Sequence, residues 1–264
     1  MKTTSDKYGS LWSRDELVLA LYLYCQIPFS KTKANNKDVI SLAMILKRTP
    51  SSVARKLGNF GAFDPGLAKR GISGLAHVSK VDKEIWDKYS GNWDRLVADS
   101  ESILQRANAV SLVAQEEHGD LSMNLSLPSG PSAAAREVET RLHQTFFRRS
   151  VLASYEVSCC VRRLNIAALL VASHIIPWSV REETRADPRN GLCMCSLHDR
   201  AFDRGLLGID SALRIAISRT ALRSRCAFAE IALASFNGEQ VRMPKRFAPK
   251  AEYLTWHYDH VYEH

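Results

Sequence analysis

The sequence predicts an α+β protein in two parts: a helical N-terminal domain of helix-turn-helix character and a C-terminal domain of short strands around one helix. Three observations predict it. Capped apolar stripes of helical period fill residues 13–60. Residues 118–135, "HGDLSMNLSLPSGPSAAA", lose periodicity and gain Ser, Pro and Gly, as a linker does. Beyond residue 164, short apolar runs alternate with a polar loop and one helical segment. The expected division is therefore 1–117, a linker at 118–135, and 136–264.

The elements follow in order. "SRDELVLALYLYC" opens with Ser13 and Glu16 at capping-box spacing. Leu17, Ala20, Leu21 and Tyr24 then line one face. "NNKDVISLAMILKR" repeats the pattern with Val39, Leu42, Ala43 and Leu46. "TPSSVARKLGNF" has Thr49 as N-cap and Pro50 at the first helical position. Its apolar face is Val53, Leu57 and Phe60, and its expected outer face carries Arg55, Lys56 and Asn59. "FDPGLAKRGISGL" reads as a basic, Gly-rich loop, and "DKEIWDKYSGNWDRLVADSESILQRA" as helical, with Trp86 and Trp93 in its packing. After the linker, "REVETRLHQTFFRRSVLASY" predicts a helix with Val138, Leu142, Thr145 and Phe146 on one face. "LNIAALLVASHIIPW" ends as a strand closed by Pro177. "NGLCMC" is a turn and a second strand, "SLHDRAFDRG" a helix, and "LLGID" and "LRIAISR" further strands.

Net charge is +8. Residues 1–100 hold 16 Lys+Arg against 10 Asp+Glu, and the rest 20 against 18, so the basic excess sits in the front half. That distribution suits a polyanion partner. Arg55, Lys56 and Asn59 are the candidate contacts to phosphates or base edges. No apolar run reaches the length of a membrane span, and no apolar stretch follows the N-terminal lysine as in a secretion signal. The six cysteines, two of them adjacent at 159 and 160, do not form an even framework, so reduced thiols in a cytoplasmic protein are expected.

Residues 190–205, "NGLCMCSLHDRAFDRG", concentrate the chemistry. The cysteines, as CC at 159–160 and CxC at 193 and 195, lack the paired knuckles of a structural zinc site; a strand's buried face explains Cys193 and Cys195. Ser196 and Asp199 fit a capping box, with Asp199 as its third residue. His198 then stands in the first turn, where the helix dipole favours the neutral imidazole a metal needs. Asp203 stands at the opposite end, where the dipole opposes a carboxylate; a metal, a basic partner or a backbone N–H is needed to offset it. His174 alone reads as a core histidine and Asn190 alone as a turn residue. Histidines at 257, 260 and 264 read as solvated or capping groups. The joint order is different: His on a strand, Asn opening a second strand, and His on the next helix is the layout of a ββα-metal nuclease site.

Residues 150–210 resemble the HNH endonuclease family in its restriction-type branch, through "ASHIIPW", "NGLCMC" and "LHDRAFDRGLLGID". The closing "AEYLTWHYDHVYEH" and the opening "WSRDELVLALYLY" also look like segments found with such domains. The resemblance implies a ββα-metal nuclease domain that cleaves double-stranded DNA. It implies His174 as general base, Asn190 as the residue that holds it in register, and His198 as ligand to one divalent metal ion. Mg²⁺ is the first expectation, with Mn²⁺, Ni²⁺ and Zn²⁺ as alternatives. Many members carry an acidic ligand just before the first histidine; here that position is Ser173, and Asp203 is the expected substitute. A restriction role, sensing of modified bases and a homodimer follow from the resemblance alone. The competing readings are a non-catalytic DNA-binding regulator, an RNA-directed or toxin-type nuclease, and a zinc-ribbon interaction module.

Overall fold

The computed structural model describes residues 9–72, 78–115 and 132–264, with side chains at 9–72, 78–107 and 140–264. The chain forms two compact units, residues 1–64 with 71–146 and residues 65–70 with 147–264. Part of the expected linker, 118–131, and the end of the Gly-rich loop, 73–75, lie outside the described residues.

In the first unit, α1 (Arg14–Gln26) starts on the full Ser13–Glu16 capping box. Residues 16–21 and 23–26 are all buried, because α1 lies against α2 (Lys37–Leu46), α3 (Pro50–Gly61), α5 (Lys80–Tyr89) and α6 (Trp93–Gln115). Between α3 and α5 in the chain, α4 spans Pro65–Ala68, which belongs to the second unit. The expected inner residues of α2 and α3 are buried, and Thr49 and Pro50 cap α3 as read. Three residues join α2 to α3, with Lys47 in the left-handed region at φ 54°. Arg48 then turns inward. It donates to Glu16 Oε1 and Oε2 at 3.0 and 2.8 Å and to the carbonyls of Ser10 and Leu11, and it lies over the Trp12 ring. The stretch read as helical over 82–107 forms two helices, with Gly91 at φ 102° between them. Trp86 and Trp93 are buried.

α7 (Ser132–Ser154) begins inside the expected linker. Its buried residues include His143, Phe146, Phe147 and Ser150, while Thr145 is exposed, so the inner face is shifted from the predicted one.

The second unit holds two antiparallel pairs. β1 (Leu170–His174) pairs with β2 (Gly191–Cys195), with His174 opposite Gly191 and Leu170 opposite Cys195. β3 (Leu207–Ile209) pairs with β4 (Ile215–Ile217). Between the pairs runs α8 (Ser196–Asp203), which buries Ala201 and Phe202. Two short helices, α9 (Arg219–Leu222) and α10 (Ala227–Ala232), precede the closing α11 (Ala251–His260). The core gathers Phe147, Val151, Leu192, Met194, Phe202 and Ile215. No described helix is long and apolar enough to cross a membrane.

Gly205 ends α8. Its N–H donates to Phe202 O at 3.1 Å and that of Leu206 to Ala201 O at 2.8 Å, the paired bonds of a Schellman stop. Its φ is +71°, and a Cβ there would lie 2.2 Å from the Val261 carbonyl oxygen. Gly205→Ala is therefore expected to destabilise the unit by about 2–3 kcal/mol, read by urea denaturation.

His257 is 2% exposed, lies 3.5 Å from the Phe202 ring and donates from Nε2 to Phe202 O at 3.1 Å. Burial holds its pKa down at about 4. The unfolded chain titrates near the ordinary value, so between these values it binds more protons than the folded one. Stability is therefore expected to fall as pH drops from about 6.5 to about 4, by up to about 3 kcal/mol. His257→Phe should flatten that part of a Tm-against-pH curve. His260 bonds the Trp256 carbonyl and is exposed, so the C-terminal histidines do not converge.

Candidate functional site

β1, β2 and α8 position the side chains singled out by the sequence. Cross-strand pairs share a face. Leu170, Ala172 and His174 thus lie on one side of the hairpin with Gly191, Cys193 and Cys195, and Val171 and Ser173 on the other with Leu192 and Met194.

His174 ends β1. Its ring stacks on Phe147 at 3.7 Å, and Nε2 lies 3.1 Å from Arg185 O. A carbonyl only accepts, so Nε2 carries the proton and Nδ1 keeps its lone pair. Burial lowers the pKa, which keeps the imidazole neutral. A neutral ring with an unprotonated Nδ1 is a competent base.

Asn190 is fully buried. Its Oδ1 accepts from Ile176 N at 2.9 Å, while Nδ2 donates to Ile176 O at 2.9 Å and Thr184 Oγ1 at 3.1 Å. Its own carbonyl accepts from Ile175 N at 2.9 Å. The side chain therefore acts as one more rung of strand pairing just beyond His174, and ties that backbone to the 177–189 loop.

α8 starts one residue earlier than expected. Cys195 is the N-cap and makes no side-chain cap, and Ser196 Oγ instead donates to Leu169 O at 3.3 Å. The expected Ser196–Asp199 capping box is absent, so Asp199 is released from that task. Its carboxyl is half-buried and its pKa is raised by burial, against the opposing effect of the nearby Ser173 hydroxyl. Asp203, one turn on, is also raised, first by partial burial and then by the charge of Asp199. Ser173 is 2% exposed, and its Oγ faces the Asp199 carboxyl without forming a hydrogen bond of full geometry. Asp199 thus has the Ser173 hydroxyl on one side and the charge of Asp203 one helical turn away. The i, i+4 spacing of Asp199 and Asp203 was the available sequence signal; the capping-box reading concealed it.

His198 points elsewhere. It is fully buried, with Nδ1 3.2 Å from Cys195 Sγ and 3.5 Å from Cys159 Sγ, and with Nε2 2.9 Å from Ala232 O. The three donor atoms lie within 4.8 Å of one another, a group able to hold a metal ion. Cys159 reaches it because Cys160 N donates to Cys193 O at 2.7 Å, which docks the 159–160 turn on β2. The Cys159 S–H donates to Cys195, which pulls the Cys195 thiol pKa down, while Cys159 is pushed up as the donor and by burial. Cys159 was not singled out by the sequence, since nothing local links it to residues 195–198. His198 and Asp203 thus stand in different surroundings, one among sulfurs and one beside a second carboxylate.

In the first unit, Arg55 alone of the three expected contacts is exposed. Lys56 Nζ bonds both oxygens of Asp82 at 2.9 and 3.0 Å, and Asn59 Nδ2 donates to Asp82 Oδ2 at 3.1 Å. Asp82 is the fully buried third residue of the capping box that opens α5, and it requires those donors. Lys56 and Asn59 are therefore not on an outward face.

No curated protein matches the chain. Residues 159–210, in the C-terminal half, span Cys159, Ser173, His174, Asn190, Cys195, His198, Asp199 and Asp203, and this segment matches the family described as HNH endonuclease.

Proposed function

We propose that this protein is a metal-dependent endonuclease that hydrolyses phosphodiester bonds of double-stranded DNA. The observation that carries the reading is the end of β1. There the buried Ser173 hydroxyl lies against the Asp199 carboxyl, and the next residue, His174, is a neutral base. The family match over 159–210 supports nuclease chemistry.

In this mechanism His174 Nδ1 takes a proton from the water that attacks the phosphorus. The P–O3′ bond breaks and the departing oxygen takes a proton from solvent, leaving a 5′-phosphate and a 3′-hydroxyl. Asn190 fixes the backbone after His174, so the ring keeps its stack and its bond to Arg185 O. Asp199, Asp203 and Ser173 would hold the divalent ion. When bound, the ion supplies charge stabilisation to the phosphorane and the departing oxygen. Oxygen donors favour Mg²⁺ or Mn²⁺. In our reading Asp199 takes the ligand place expected of His198, because the His198 ring is committed to the sulfurs and to Ala232 O.

The first unit supplies DNA contact in this reading, supported by its basic excess, the short α2–α3 turn and the outward Arg55. Arg55→Ala is expected to weaken duplex binding several-fold and to lower the slope of log affinity against log salt by about 1. Fluorescence anisotropy across a salt series reads both, and an unchanged slope contradicts the assignment. Lys56→Ala is a poor test, since it strips a cation from buried Asp82.

A restriction role, with or without sensing of modified bases, and action as a dimer are the finer parts of the proposal. The test is a parallel digest of unmodified, methylated and hydroxymethylated duplex DNA, single-stranded DNA and RNA, with end sequencing. Preferential cutting of one duplex class supports the reading. Cutting of RNA alone contradicts it.

A further inference from the structure

The buried sulfur–imidazole cluster has no part in the mechanism above. His198 and Asp199 are adjacent on α8, so their side chains leave the helix about 100° apart. One set of donors is soft and buried, the other hard, with Asp203 exposed. Soft donors select zinc-type ions, and carboxylate and hydroxyl oxygens select Mg²⁺ or Mn²⁺.

We propose that Cys159, Cys195 and His198 form a structural zinc site, separate from the catalytic ion, that pins the 159–160 turn to the start of α8. The distances fit. Tetrahedral zinc with its usual bond lengths sets sulfur and nitrogen ligands about 3.5 Å apart; here they are 3.2 and 3.5 Å. The tautomer also fits. Nε2 faces the Ala232 carbonyl, which accepts its proton and leaves the Nδ1 lone pair aimed between the two sulfurs. Burial fits as well: Cys159 and His198 are fully buried and Cys195 is 6% exposed. Among the described residues the protein offers three donors; a water reaching the Cys195 side takes the fourth position. Cys195 and His198 stand three apart on one helix turn, and Cys159 joins them across 36 residues. A bound ion would close that loop in the manner of a disulfide without needing an oxidant.

The test uses the full chain purified without chelator and reads metal, not cleavage. Elemental analysis is expected to find about one zinc per chain. Replacement by Co²⁺ is expected to give an intense thiolate-to-cobalt charge-transfer band with tetrahedral ligand-field bands. Cys159→Ser and Cys195→Ser should lose the zinc, while Asp199→Asn with Asp203→Asn should retain it even if cleavage is lost. Should a serine variant fail to fold, the cobalt spectrum of the unaltered protein still decides. Zinc well below stoichiometry together with no thiolate band overturns the proposal. So does a Cys159–Cys195 disulfide in the freshly purified protein, or zinc that is lost from the aspartate variant but kept by the serine variants.

Discussion

His174→Ala is expected to reduce the rate of plasmid cleavage by about 10²–10⁴-fold, the contribution of one positioned general base. The ring meets the geometric demands of that role: a stack on Phe147, a bond to Arg185 O that fixes the tautomer, and an Nδ1 free of a proton. Removing it also opens a gap over Phe147, so a melt must accompany the assay. His174→Gln keeps much of the volume and lacks the basic nitrogen; it should fold like the parent and cleave as slowly as the alanine variant. Binding of duplex DNA should stay within a few-fold of the parent in both variants. Cleavage by His174→Gln at the parental rate would remove His174 from the reaction.

Asp199→Asn combined with Asp203→Asn carries the second large effect. Cleavage is expected to fall by at least about 10²-fold, because the charges that draw the ion are gone. Stability should move the other way. Both carboxylates are raised above their ordinary pKa by partial burial, and Asp203 also by the charge of Asp199, so both charges work against the fold until a cation neutralises them. The metal-free variant is therefore expected to melt at or above the parent. Mn²⁺ should raise the Tm of the parent and leave that of the variant unchanged. Gain of stability with loss of activity is the pattern of groups kept for function, and a structural role for the pair would produce the reverse.

Much of the fold was legible because its signals are local. The Ser13–Glu16 box, Thr49–Pro50 and the 3.6-residue stripes each specify a helix without reference to the rest of the chain. β1, β2, α8 and the β3–β4 pair were legible from apolar runs between turn residues. The site was legible in its order along the chain, His174, Asn190 and then α8, and less so in its details. A single-residue shift of the α8 start turned Asp199 from a cap into a partner of Ser173. Lys56 and Asn59 looked outward by helical wheel, yet buried Asp82, more than twenty residues on, draws both inward. Cys159 meets His198 across 39 residues. Each of these depends on a tertiary contact, and a periodic pattern carries no information about what lies opposite a face.

In the proposed function the α8 carboxylates and the end of β1 form a nuclease centre. Its most direct test is conversion of supercoiled plasmid by the purified full chain in Mg²⁺ or Mn²⁺, with EDTA in parallel and the Asp199→Asn, Asp203→Asn variant alongside. Nicked or linear DNA is expected with the ion, none with EDTA and little with the variant. Cleavage that survives in the folded, metal-loaded variant at the parental rate, or supercoiled plasmid left intact by the parent under every ion, would contradict it.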